Sequence, residues 1–273
     1  MGDKEAYPGT QSVQRAISLL KAFDDVNPAW GLSDLSREMG LNKTTVFRLM
    51  SALEQEGMVA RAQDGESYIL GPEIVVMGGR ALRSNNLRTV ARPELELLAE
   101  GTNETASLEI LSEREMLVID EIVGGHLMSG VPSLGSRWPL HASSTGLAML
   151  AFLPDETADT LLPSSLVPVT LSTAINHADL RRELAATQAR GYSIADETLE
   201  VGLIAIAAPV YNHDGQVVAT VSVAGPKVRI TPARVPEIGR QLLDAAGRIS
   251  AQLGYRRQTS PVTIESISYG YTD

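Results

Sequence analysis

The sequence predicts an α+β protein in two parts. A small helical unit with a β-hairpin is joined by a linker helix to a larger domain, whose mainly antiparallel sheet is flanked by helices. Three observations carry this. Residues 32–57, LSDLSREMGLNKTTVFRLMSALEQEG, read as two short helices around a tight turn. Two short β-rich runs follow around Asp64-Gly65, a strong hairpin signal. Beyond residue 86, hairpin-forming runs are mixed with helical patterns, which favours an α+β domain over a parallel sheet.

Val13, Ala16, Ile17, Leu20 and Phe23 give a first amphipathic helix against which the next two pack. Ser33 is placed to cap the second helix, and Asp34 suits the positive end of its dipole. Leu35 and Met39 share one face, and Gly40 ends the helix where a left-handed residue costs least. Asn42 caps the third helix, in which Val46, Leu49, Met50 and Leu53 form one apolar stripe. Thr44, Arg48 and Ser51 lie opposite the stripe, with Thr45 and Phe47 on its flanks. Hydroxyls bond phosphates or base edges, and Arg bonds guanine bidentately. An ordinary core hairpin of helices would read the same way. The strand candidates 58–61 and 68–70 turn the motif into a winged helix-turn-helix, whose second helix reads DNA. Its candidate DNA contacts are Ser33, Lys43, Thr44, Thr45, Phe47, Arg48, Ser51 and Arg61.

Gly71-Pro72 ends the wing, and residues 73–85 read as the linker helix, with Gly78-Gly79 inside it. In the second domain, helices are predicted at 90–100, 144–152, 155–162, 178–190 and 232–253. Strands are predicted at 105–111, 115–123, 127–131, 192–195, 204–211 and 216–224. The organisation is a flexible N-terminus (1–10), the winged unit (11–72), the linker (73–86), the second domain (87–255) and a tail (256–273).

Composition narrows the function. The 273 residues contain no Cys, so disulfides, a thiolate nucleophile and Cys-ligated metals are excluded. No apolar run approaches the ~20 residues of a membrane span, and the polar start MGDKEAYPGTQ is unlike a signal peptide. A cytoplasmic protein with no membrane partner is expected. The net charge of −10 looks unsuited to nucleic acid, but its distribution matters. Residues 1–90 hold 10 basic and 11 acidic side chains, so the acidic excess lies in the second domain. Lys43, Arg48 and Arg61 are few cations for one copy, because phosphate contacts dominate affinity. Operator binding is therefore expected from two or more copies.

The chain resembles transcriptional regulators of the IclR family from about Ser12 to Tyr255. Four blocks carry the resemblance: SVQRAISLLKAF before the winged helix; LHASSTGLAMLA at 140–151; GYSIADETLEVGLIAIAAPVYNHDGQVVATVSVAGP at 191–226; and RITPARV before the last helix. The resemblance implies a DNA-binding domain and an effector-binding domain controlled by a small organic metabolite. It further implies a homodimer that can pair into tetramers, with no catalysis, cofactor or obligatory metal. By position it places the effector among Ser143, Ser144 and Thr145 at a helix N-terminus, Asp196, the sheet residues Leu203, Ala205 and Ser222, and the apolar walls Leu127, Met128 and Leu140. Where the family usually has an acidic pair, Ala195-Asp196 leaves one acid. The usual Arg-Cys is Ile204-Ala205, and the usual Lys is Leu147. These departures point to a bulkier, less polar effector, such as an aromatic acid or an amide-like relative.

Two alternatives compete: a small-molecule hydrolase, and a ligand sensor that no longer reads DNA. His141, Ser143, Ser144 and Asp196 are triad residue types, but no GxSxG elbow is present, and His126, His177 and His213 lack metal-ligand spacing.

Overall fold

The computed structural model describes residues 10–24, 26–84, 86–125 and 134–256. The predicted strand at 127–131, with Leu127 and Met128, lies outside them, as do most of the predicted tail and the first nine residues. The chain forms two compact units, residues 1–85 and 86–273.

In the first unit, α1 (Gln11–Lys21) leads through β1 (Ala29–Gly31) into α2 (Leu32–Glu38) and α3 (Lys43–Gln55). β2 (Val59–Arg61) and β3 (Ser67–Leu70) form the wing, and α4 (Pro72–Ser84) follows. The three strands make one antiparallel sheet in the order β1-β3-β2. Strand β1 is absent from the sequence reading: three residues offer no alternation to detect, and no hairpin turn signal marks them as Asp64-Gly65 marks β2. It is held in place by Trp30, whose indole N–H donates to the Ala22 carbonyl at 2.8 Å. The core joins Leu19 and Phe23 to Leu35, Val46, Met50, Val59 and Tyr68.

Two N-terminal expectations are corrected. Ser33 is not the α2 cap; the cap position is Gly31, and no side chain bonds there. The β1 strand runs to Gly31 in extended backbone, so the helix starts two residues earlier than expected. On α1 the buried anchor is Leu19, while Val13 and Ile17 are exposed. Apolar residues occupy more than one side of α1, so periodicity alone does not select the inward side.

The second unit runs α5 (Asn86–Thr102), β4 (Thr105–Ser112), β5 (Glu115–Ile122), β6 (Arg137–Pro139), α6 (Ser144–Phe152), α7 (Asp155–Leu161) and α8 (His177–Arg190). Then come β7 (Ser193–Asp196), β8 (Leu203–Tyr211), β9 (Val217–Pro226) and α9 (Val235–Gln252). All strand pairs are antiparallel, in the order β6-β5-β4-β9-β8-β7. Alternation along the strands divides the sheet faces. Ala106, Leu108, Ile204, Ile206, Ala208, Val221 and Val223 pack with Leu95 of α5 and with Leu242 and Ile249 of α9. The intervening residues Ser107, Glu109, Ala205, Ala207 and Ser222 belong to the other face, which α6 covers.

Polar ties hold these layers. Arg229, in the block after β9, grips the buried Glu104 with two bonds of 2.8 and 2.7 Å. Arg248 of α9 grips Glu94 of α5 in the same way. Arg88 and Arg92 of α5 reach Asp120 on β5.

Candidate DNA-reading and effector sites

The DNA-reading candidate is built by the turn before α3. Gly40 takes φ +62°, which glycine adopts without a side-chain clash, and reverses the chain. Asn42 then accepts the Thr45 N–H at 2.8 Å, capping α3. With Val46 and Met50 fully buried beneath it, α3 turns Lys43, Thr44, Phe47 and Arg48 outward. Thr45 and Ser51 are half-buried at the edges of this surface, and Ser33 is exposed on α2. Phe47 is 49% exposed, an apolar side chain with no place in the core. Arg61 is less free than its charge suggests. Its guanidinium lies 3.9 Å from the Tyr68 ring centroid, donates to the Tyr68 hydroxyl at 2.5 Å and pairs with Glu54 at 3.5 Å. At the wing turn, Asp64 accepts the Glu66 and Ser67 N–H groups, both at 2.9 Å. These bonds hold its carboxyl below the usual range, so the turn carries fixed negative charge.

The effector candidate lies between α6 and the sheet. Ser143 caps α6: its Oγ accepts the Gly146 N–H at 3.1 Å and donates to the Pro139 carbonyl at 2.9 Å. Ser193 on β7 donates to the Ser144 carbonyl at 2.6 Å, and Thr198 to the Ala142 carbonyl at 2.6 Å. Gly146 permits the close seat: a Cβ there would lie 2.3 Å from the Leu140 carbonyl oxygen.

Beneath this helix sits an acid that the sequence reading passed over. Glu109 of β4 is buried, accepting the Thr145 hydroxyl on one oxygen and the Ser107 hydroxyl at 3.1 Å on the other. Ser107 and Ser222 share a hydrogen bond of 2.8 Å. Thr145 and Ser222, both predicted site residues, therefore belong to one network with Glu109 at its hub. Burial, reinforced by Glu121, pushes the Glu109 pKa up to about 7, against the pull of the two hydroxyls. The available signal was the strand TASLEILS, where Glu109 stands two residues from Ser107 and so shares its face.

The other predicted effector residues separate. Leu203 and Ala205 are half-buried at the start of β8, Ala205 opposite Ala224. Leu140 packs with Met116 and Met149. Asp196 pairs with Lys227 at 2.8 Å and, with His141 and Leu147, lines a different cleft of about 580 Å³ beside α8. Two of the departures read as effector-facing take other places: Ile204 packs in the α5/α9 core, and Leu147 packs against Leu166 and Leu180.

The hydrolytic alternative finds no geometry here. His141 Nε2 bonds the Val167 carbonyl at 2.8 Å, and Ser143 is bonded to backbone on both sides. Among the described residues, no His, Asp or Glu cluster could hold a metal, and no helix is long and apolar enough to cross a membrane.

Comparison with known proteins gives the same two parts. Residues 12–63 match the IclR helix-turn-helix domain, and residues 79–251 match the bacterial transcriptional regulator IclR C-terminal domain. The chain is 32% identical over 250 residues to the transcriptional repressor IclR of Escherichia coli, covering 90% of this chain and 91% of that protein. It is similar to the crystal structure of Thermotoga maritima IclR, with TM-score 0.73 and 28% identity, covering 89% and 99% of the two chains. It is also similar to an IclR homologue from Microbacterium hydrocarbonoxydans complexed with 4-hydroxybenzoate, with TM-score 0.77 and 28% identity, covering 89% and 98%. A winged helix-turn-helix with an exposed reading helix, a sheet-and-helix domain behind a capped α6, and matches to both family domains make this chain a member of the IclR family of DNA-binding transcriptional regulators.

Proposed function

We propose that this protein is a cytoplasmic transcriptional repressor that binds operator DNA as a homodimer, or as a tetramer of two such dimers. The carrying observation is the outward surface of α3, where Lys43, Thr44, Phe47 and Arg48 stand clear of a complete core. Ser33, Thr45, Ser51 and Arg61 complete the contacting set. Self-association is supported by exposed apolar side chains in the first unit: Val13 and Ile17 on α1, and Val75 and Met77 on α4. A gel shift with the DNA upstream of its own gene tests the reading. Wild type shifts the fragment, and Arg48→Ala weakens binding by about tenfold or more. Equal shifts by both proteins would remove Arg48 from the reading surface, and no shift would leave a ligand sensor.

The effector, on this proposal, is an aromatic or otherwise weakly polar acid or amide-like metabolite held between α6 and the sheet. Ser143, Ser144 and Thr145 supply the helix end; Leu203, Ala205 and Ser222 the sheet; Leu127, Met128 and Leu140 the walls; and Asp196 the rim. The side chains at Ala205, Ala207 and Ala224 on that face are small. The relative complexed with 4-hydroxybenzoate supports an aromatic ligand. Calorimetry decides between classes: glyoxylate or pyruvate binding tightly while aromatic compounds do not would reverse the assignment.

A further inference from the structure

Among the described residues, Glu109 faces no cation. The segments packed on it, STGLAMLAF of α6 and VVATVSVAGP of β9, contain no ionisable side chain. On β4 it is the sole ionisable residue. On β5, Glu121 stands opposite Ser107 on the same face, and Glu115 is at the far end of the strand. Asp120 belongs to the opposite face, where Arg88 and Arg92 hold it. Among the described residues, the charge that acts on Glu109 is therefore a second acid, Glu121.

The hydroxyl network has a direction. With Glu109 ionised, Thr145 and Ser107 both point their hydrogens at it, and Ser222 must donate to Ser107. Every bonded hydroxyl then turns a lone pair, not a hydrogen, toward anything else in the site. Thr220 stands in register with Glu109 on β9, and its Oγ1 is buried without a hydrogen-bond partner, so its hydroxyl hydrogen is the one beside Glu109 that this network leaves uncommitted. With Glu109 protonated, its own O–H can donate to Thr145 or Ser107, and the released hydroxyl can turn toward a ligand. Burial holds the acid near the pH at which both forms exist.

Resting on the reading of this face as the effector site, we propose that Glu109 is its specificity-determining residue. The effector meets it with a hydrogen-bond donor, the N–H of an amide or the O–H of a phenol. A carboxylate can occupy that position only together with a proton, which Glu109 binds.

The test uses the full-length protein and four matched probes: benzoate, benzamide, 4-hydroxybenzoate and 4-hydroxybenzamide. Binding is measured by calorimetry at about pH 6 and about pH 8 in two buffers of different ionisation enthalpy, which counts protons. At the higher pH the donor-bearing probes bind about tenfold or more tighter than benzoate, because a buried unpaired acceptor is costly. Benzoate affinity falls about tenfold per pH unit above about 7, with one proton taken up per molecule bound. Glu109→Gln, which keeps the shape, abolishes both the proton uptake and the discrimination. Benzoate binding as tightly as benzamide with no proton uptake, or discrimination unchanged in Glu109→Gln, overturns the proposal. Ala205→Leu separates the two readings, with Ser222→Val as the second variant if the first does not fold. Binding lost in these variants but unaltered in Glu109→Gln defeats the role of Glu109 alone. No binding by any probe up to about 10 mM, or binding indifferent to Ala205→Leu and Ser222→Val, defeats the effector-site reading and this proposal with it.

Discussion

Asn42 and Glu109 are single residues with separable consequences. Asn42 satisfies an N–H that would otherwise be orphaned at the start of α3. Asn42→Ala should lower stability by about 1 kcal/mol, measured by urea unfolding, and should loosen the helix end that carries Lys43 and Thr44. Glu109 holds its proton more tightly in the folded chain than in the unfolded one, with a pKa raised from 4.5 to about 7. The associated stability is present below about pH 4.5 and is lost as the pH rises through about 7. The loss across that window is roughly 3 kcal/mol, and Glu109→Gln should remove most of it. Identical pH–stability curves for the two proteins would contradict the buried acid. The Asn42 cap was legible because capping is local. Glu109 was not, because alternation gives the face of a strand residue but not what stands across from it.

At the scale of elements, the family blocks acquire physical reasons. In LHASSTG, the glycine lets α6 sit against the Leu140 backbone. Gly146→Ala should cost about 1–3 kcal/mol, read as a lowered urea midpoint, because backbone must move to make room. In RIT, Arg229 supplies the fork for Glu104 and Ile230 enters the core. Arg229→Ala leaves Glu104 buried without its main partner and should cost about 3–5 kcal/mol, while Arg229→Lys recovers only part of this because it cannot form the fork. Strands of eight or more residues and the Asp64-Gly65 turn were readable from the sequence. The equally short β2 was read because the Asp64-Gly65 turn marks it, but the three-residue strands β1 and β6 were not: β1 is fixed by pairing with β3, and β6 by pairing with β5. The α1 face was legible only in part. Phe23 and Leu20 join the core as expected, but Val13 and Ile17, which look like core on a wheel, are exposed, and Leu19 is the buried anchor.

For the whole molecule, charge bears on the proposal that more than one copy binds the operator. The exposed face of α3 offers Lys43 and Arg48, while Arg61 is engaged by Tyr68 and Glu54 and the wing turn is acidic. The sequence count of three cations therefore overstates what one copy brings to phosphate, and the case for several copies on one operator is strengthened. Fold and family were legible over most of the chain because patterning, turns and family blocks agreed. The separation of Asp196 and Leu147 from the Glu109 network was not, because neighbours in sequence at a strand end or on a short helix face different sides. The most direct test is the stoichiometry of the protein on its operator, measured by fluorescence anisotropy and sedimentation of labelled upstream DNA. Two or more copies should bind together, with affinity falling steeply as salt rises and weakened by Arg48→Ala while the assembly stays intact. Nanomolar binding by a single copy, or salt-independent binding indifferent to Arg48→Ala, would contradict the account.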